Sequence, residues 1–221
     1  MDALYGRFLK PGDLAFDIGA HVGDRISSFR RLGARVVALE PQPGPARALR
    51  LIHGRDPDVT LIAAAAGDRE GEIGFHVNSA NPTVSTASDA FLAAADGAGG
   101  WEGQVWDRTI RVPCLTLDGL VRKHGRPAFI KIDVEGFEDT VLRGLNVPVP
   151  ALSFEFTTIA RDSAERSLLR LAALGPYRFD VALGETQRLV FGRWLSPTEM
   201  SAYLAGLPHE ANSGDVYAVL P

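Results

Sequence analysis

The sequence predicts an α/β fold, a largely parallel sheet with helices on both faces. Three observations carry that prediction. Short apolar strands alternate with helix-period segments along most of the 221 residues. A strand, glycine turn, helix and second strand follow one another from Asp13 to Pro41, DLAFDIGAHVGDRISSFRRLGARVVALEP. The last segments read as antiparallel strands added to the sheet.

The elements follow in order. Leu14–Asp17 is a first strand. Val22, Ile26, Phe29 and Leu32 recur at helical spacing, with Arg25, Arg30 and Arg31 outside. Arg35–Leu39 is a second strand, Gln42–Ile52 a helix opened by prolines, and Thr60–Ala65 a third strand. Glu72–Asn78 and Arg108–Val112 alternate, placing Ile73, Phe75, Val77, Ile110 and Val112 on one face of a short added strand pair. Between them, Ser79–Gly103 is rich in Ser, Thr, Ala and Gly. A connection that long is expected to be either a functional lid or disordered, and its AAADGAGG stretch favours mobility. Leu117, Leu120 and Val121 mark a short helix before the strand Ala128–Asp133. Phe137, Val141 and Leu142 mark the next helix, and Leu152–Glu155 the next strand. Ser163–Leu174 is helical and ends at Gly175-Pro176. Tyr177–Ala182 and Arg188–Arg193 read as a hairpin around Gly184. Ser196-Pro197-Thr198-Glu199 is a capping box with proline at the first helical position, and Asp215–Leu220 is the last strand. No repeat or linker divides the chain, so residues 1–221 are expected to form one domain.

Composition narrows the function. Hydrophobic residues make up 46% and charged residues 23%, as in soluble globular proteins. No apolar run approaches the ~18 residues that span a bilayer. The N-terminal MDALYGRFLK does not read as a signal peptide, so a cytoplasmic protein without a membrane partner is expected. The single cysteine, Cys114, lies in VPCLTL and reads as a small buried hydrophobe. Net charge is −4 and no basic stripe stands out, so no nucleic-acid partner is expected.

The turn between the first strand and helix is Asp17-Ile18-Gly19-Ala20-His21-Val22-Gly23. Glycines here let backbone N–H groups approach a ligand closely. Dinucleotide sites use Gly-x-Gly-x-x-Gly for a pyrophosphate, whereas this chain has Gly19-x-x-x-Gly23 behind an acid. Asp17 at the strand end would repel a diphosphate and suits a ligand with an amino group. S-adenosylmethionine is such a ligand, a nucleoside with an ammonium, a sulfonium and no phosphate. Glu40, ahead of Pro41, can accept hydrogen bonds from ribose hydroxyls. Asp68 after the third strand can receive the adenine amino group. His21 reads as a helix-start surface residue.

A second constellation is FIKIDVEGFE, Phe129–Glu138. A central parallel strand should be apolar almost throughout, yet Lys131 and Asp133 interrupt this one on a single face. In a doubly wound sheet Asp17, Asp133 and Glu155 would converge at the carboxyl edge, where such sheets bind ligands. Lys131 would lie one layer below and offset their repulsion. Glu138 reads as an acid in the first turn of a helix.

DIGAHVGD, ALEPQP, VPCLTLDGL and above all FIKIDVEGFEDTVLRG resemble the FkbM-type family of S-adenosylmethionine-dependent methyltransferases, from about Asp13 to Glu155. The resemblance implies a Rossmann-like class I fold, a mostly parallel seven-stranded sheet with an antiparallel last strand. It implies O-methylation of a hydroxyl on a small molecule or sugar. Asp17, Gly19, Ala20, His21 and Gly23 would form the cofactor turn and Glu40 would hold the ribose. Asp133 and Glu135 would flank the reacting end.

Methyl transfer from a sulfonium is an in-line displacement, so the protein must align the acceptor and remove its proton. Asp133, Glu135 and Glu155 are the candidate bases. Mg²⁺ bridging the carboxylates is compatible with oxygen ligands but not demanded, and no metal site is assigned. Trp101, Trp106 and Asn81–Thr86 could close over the acceptor. The alternatives are a nicotinamide-dependent oxidoreductase, disfavoured by Asp17 and the missing Gly-x-Gly-x-x-Gly, and a non-catalytic binding module of the same fold.

Overall fold

Strand β1 (Leu14–Ile18) is buried along its whole length, and a strand with two buried faces belongs inside a sheet. The computed structural model, which describes residues 1–221, places it at the centre. In chain order, α1 (Asp2–Tyr5) precedes β1, and α2 (Asp24–Arg31), β2 (Arg35–Leu39), α3 (Pro43–His53) and β3 (Val59–Ile62) follow it. A second group comprises β4 (Ala65–Ala66), β5 (Gly71–Val77), α4 (Asp89–Ala95) and β6 (Arg108–Leu115). Next come α5 (Leu117–His124), β7 (Phe129–Ile132), α6 (Glu138–Arg143), β8 (Ala151–Thr157) and α7 (Arg161–Leu174). The chain ends with β9 (Arg178–Leu183), α8 (Pro197–Gly206) and β10 (Ser213–Val219).

Seven strands form the main sheet in the order β3-β2-β1-β7-β8-β10-β9. All neighbours are parallel except β10, which is antiparallel to both β8 and β9. This is the expected sheet with its antiparallel last strand. A separate three-stranded sheet, β4-β6-β5, carries the added strand pair, antiparallel between β5 and β6.

Strand alternation sorts the interior into two cores. Phe16, Ile18, Ile130, Ile132, Leu152, Phe154 and Val216 pack beneath α5, α6, α7 and α8. On the opposite face Ala15, Val36, Ala38, Phe129 and Tyr217 pack against α1, α2 and α3 through Tyr5, Ile26, Phe29 and Leu49. The alternation that sends Phe16 and Ile130 to the first core sends Asp17 and Lys131 to the second side. Ser153, Glu155 and Asp215 share that side, and their register brings Asp17 beside Lys131, Lys131 beside Ser153, and Asp215 beside Glu155.

Four sequence expectations are corrected. Val22 precedes α2 and is 37% exposed, because Gly23 in the left-handed region starts the helix one residue later. The third strand ends at Ile62, and Ala65–Ala66 cross to pair with Cys114 and Leu115 in the small sheet. Arg188–Arg193 is not a strand. Tyr177–Ala182 appears as β9, which uses β10 as its ladder partner, while buried Asp180 accepts from the Phe191 N–H on its other side. Ser79–Gly103 is not structureless: it holds a 3₁₀ turn at Pro82–Val84 and the helix α4, capped by the Ser88 side chain. Cys114 is buried, as its setting predicts.

Candidate active site

The carboxyl ends of β1, β2, β7 and β8 open into one cleft. It is lined by Asp17, Gly19, Ala20, His21, Glu40, Pro41, Asp133, Glu135 and Glu155, all singled out in the sequence. The turn after β1 makes the close approach possible. Gly19 has φ +85°, and a Cβ there would lie 1.8 Å from the Asp133 carbonyl oxygen, so only glycine lets β1 and the end of β7 meet. Gly23, at φ +95°, does not line the cleft. A Cβ on it would press on His53 and Leu49 of α3, so it seats the turn against that helix.

Glu40 ends β2 buried at 3% exposure. Its Oε2 accepts from the His21 N–H at 2.9 Å and its Oε1 from the Gln42 N–H at 2.8 Å. These bonds fix the carboxyl across the turn, while burial pushes it up to about 7. His21 serves this contact through its backbone, in a left-handed conformation at φ 47°. Asp17 is 1% exposed, and its Oδ2 has no hydrogen-bond partner. Burial raises it to about 7 despite the nearby charges of Lys131 and Arg25. An unpartnered acid at this corner offers a ready acceptor for an ammonium group.

Asp133, Glu135 and Glu155 bring carboxylate oxygens within 4.8 Å of one another. Their environments separate them. Burial opposes ionisation of Asp133, but the Lys131 ammonium and a hydrogen bond from Glu155 more than offset it and hold its carboxyl below the usual range. Glu155 is pushed well up by burial and by the charges of Asp133 and Glu135. Glu135 is pushed up by burial and by Asp133 and Glu138. Asp133 is therefore the most readily ionised member of the group, and Glu135 and Glu155 resist ionisation. Oxygens at this spacing are compatible with a divalent ion, but Lys131 already neutralises one side of the group.

Glu135 sits in a strained loop, at φ 53° followed by Gly136 at φ +80°. Two contacts hold the loop. Glu138 Oε1 accepts from the Val134 and Gly136 N–H groups at 3.2 and 3.1 Å, and Thr86 Oγ1 donates to the Glu135 carbonyl at 2.7 Å. Glu138 is thus a loop staple as well as a first-turn acid. The Thr86 contact ties the 79–103 segment to the cleft, as does Gln42 Nε2 donating to the Pro82 carbonyl at 3.0 Å.

Lys131 is fully buried below the cleft and does not line it; its Nζ lies 3.0 Å from Asp133 Oδ2 and 2.6 Å from Asp215 Oδ1. Two sequence assignments move. Asp68 lies outside the cleft near Arg69 and Arg143, and Ala64, Ala65 and Ala66 line the wall it was expected to serve. Pro82, Thr83 and Ser85 reach the cleft, but Trp101 and Trp106 do not; they pack on Phe91 with centroids at 5.1 and 6.3 Å and so brace α4. Sequence reading missed Arg25, Glu185 and Asp215. Arg25 was placed on the outside of its helix, yet it lines the cleft and meets Glu185 at 3.3 Å. Its place beside the turn, at the first step of α2, was the available signal. Nothing local marks Glu185 or Asp215, which arrive through tertiary pairing.

The fold and the cleft together define a class I methyltransferase. Residues 17–168 match the methyltransferase FkbM domain, and the chain belongs to that family. The nicotinamide-dependent alternative is thereby set aside. The structure is similar to precorrin-6y C5,15-methyltransferase from Geobacter metallireducens GS-15, at 13% identity and TM-score 0.50, covering 99% of this chain and 85% of that one. It is also similar to an O-methyltransferase from Bacillus cereus in complex with SAH, at 12% identity and TM-score 0.49, covering 100% and 78%. A putative rRNA methylase from Clostridium thermocellum matches at 10% identity and TM-score 0.48, covering 99% and 92%. No curated protein matches the chain. At these identities the likeness is one of fold. No helix is long and apolar enough to cross a membrane.

Proposed function

We propose that the chain, acting as one domain, transfers a methyl group from S-adenosylmethionine to a hydroxyl of a small molecule or sugar. The observation that carries this reading is the meeting, in one cleft, of the Gly19 turn and Glu40 with the acids Asp133, Glu135 and Glu155. Glu40, held in the cleft wall by two N–H groups, accepts from the ribose hydroxyls. Asp17 accepts from the amino-acid ammonium. The cofactor supplies the electrophilic methyl group. Asp133 is the candidate base, ionised beside Lys131 at 3.0 Å and lining the cleft. As the acceptor oxygen attacks, its proton passes to a carboxylate, which stabilises the developing charge separation. Pro82, Thr83 and Ser85 form the wall that excludes water over the reacting atoms. The absence of a basic stripe favours a small acceptor over a polyanion.

A labelled-methyl transfer screen over hydroxylated small molecules and sugars, with and without Mg²⁺, tests the reading. Transfer to a hydroxyl is expected, and Asp133→Ala is expected to lower turnover by about 10²-fold or more while leaving cofactor affinity nearly unchanged. Unchanged turnover in Asp133→Ala and Glu155→Ala would remove the base cluster from the mechanism.

A further inference from the structure

The last strand of the sheet brings in a carboxylate that the sequence showed only as part of a strand. Asp215 on β10 is 6% exposed, and its Oδ1 accepts from Lys131 Nζ at 2.6 Å. The same Nζ lies 3.0 Å from Asp133 Oδ2. Lys131 is fully buried in the middle of the sheet, with Asp17 and Ser153 as register partners. A buried ammonium needs an anion, and one carboxylate would satisfy that need. Here two carboxylates share it, and the shorter contact is to Asp215, which does not line the cleft. Asp215 also lies opposite Glu155 in the β8–β10 ladder. Glu155 and Asp133 bring carboxylate oxygens within 4.8 Å of each other, so the four groups form one cluster.

We propose that Asp215 is a positioning residue for methyl transfer: it anchors the Lys131 ammonium from behind and shares its charge, leaving Asp133 ionised, oriented toward the cleft and basic enough to take the acceptor proton. The proposal rests on Asp133 being the base. With Asp215 neutral, Lys131 would give its whole charge to Asp133 and make it a weaker base. The ammonium would also be free to turn toward Asp17, whose Oδ2 has no hydrogen-bond partner. Ordinary salt-bridge stability would require only that Lys131 be paired. The positioning role requires that the two contacts be balanced.

The test is carbon-13 NMR of the side-chain carboxyls in ligand-free protein, comparing the wild type with Asp215→Asn and Asp215→Glu. Asp133 is faced by Lys131 on its own strand, Asp17 from β1, Arg25 from α2, Glu135 from the loop, Glu138 from α6 and Glu155 from β8. The first ionisation of the Asp133–Glu155 pair is therefore read as a property of the pair. In Asp215→Asn it should move to lower pH by roughly half a unit or more, while Asp215→Glu titrates like the wild type. Turnover in Asp215→Asn should fall about 10-fold with the KM for cofactor unchanged. A titration that does not move, or moves equally in both variants, overturns the proposal. A second measurement needs no variant: the Lys131 ammonium in the wild type should show hydrogen-bond scalar couplings to the carboxyls of both Asp215 and Asp133, and coupling to Asp133 alone would also overturn it. Calorimetry with S-adenosylhomocysteine on the same samples keeps the failures apart. No binding in the wild type defeats the methyltransferase reading, whereas intact binding with an unmoved titration defeats only the role of Asp215.

Discussion

Asp17 and Glu40 are two acids with ordinary intrinsic chemistry and unusual surroundings. In the ligand-free fold burial raises each to about 7, from ordinary values of 3.8 and 4.5. A folded value above the unfolded one means that these groups favour the fold while protonated. Their contribution is complete below about pH 4 and is lost as pH rises through 7. The melting temperature of the ligand-free protein should therefore fall between pH 5 and 8, and Glu40→Gln should flatten part of that fall. Cofactor affinity should run the opposite way, rising over the same range as the carboxylates become acceptors for the ribose hydroxyls and the ammonium. Melting curves across pH, with and without S-adenosylhomocysteine, check both signs. An affinity that is flat across this range would separate Glu40 and Asp17 from the cofactor. Both residues were legible in the sequence because an acid at the end of an apolar strand has a fixed address at the sheet edge. Asp68 misled because the chain leaves the main sheet after Ile62, so an acid after Ala66 follows the small sheet instead.

The element that decides access is the 79–103 segment. Its composition reads as a loop, but Phe91 organises it. That ring is 1% exposed, packs edge-on against Trp101 and Trp106, and lies against Gly136 of the acid loop. Sequence reading passed over the helix propensity in FLAAA and the Ser88 cap, and it held no sign of the partners that make seven helical residues stable, since short helices depend on tertiary packing. Gln42 and Thr86 link the segment to the cofactor strand and to Glu135. Cofactor binding should therefore slow amide hydrogen exchange in residues 79–103 about 10-fold or more. Phe91→Ala should destabilise the protein by about 3 kcal/mol and abolish that protection. Exchange in the segment that does not respond to cofactor would show that it does not act as a lid.

Across the whole molecule, the order β8-β10-β9 places the last strand inside the sheet. The apolar run marked β10 as a strand, and the family resemblance implied its antiparallel direction, but neither showed that it lies between two earlier strands, nor that Asp215 reaches Lys131 from there. That information is non-local, as is the loss of the expected 188–193 strand to a turn that binds Asp180. Removing residues 213–221 would leave β8 and β9 unpaired along that side, with Lys131 deprived of its nearer anion. Such a truncation should abolish the cooperative unfolding transition seen by circular dichroism. A truncated chain that still unfolds cooperatively would contradict the assigned place of β10.

Titration calorimetry is the most direct test of the central claim that the Gly19 turn and Glu40 hold S-adenosylmethionine. Full-length protein is titrated with S-adenosylhomocysteine and, separately, with NADH, and the titrations are repeated on Glu40→Ala. One saturable S-adenosylhomocysteine site is expected, weakened by about 10-fold or more in Glu40→Ala, with no NADH binding. Saturable NADH binding with no response to S-adenosylhomocysteine would contradict it.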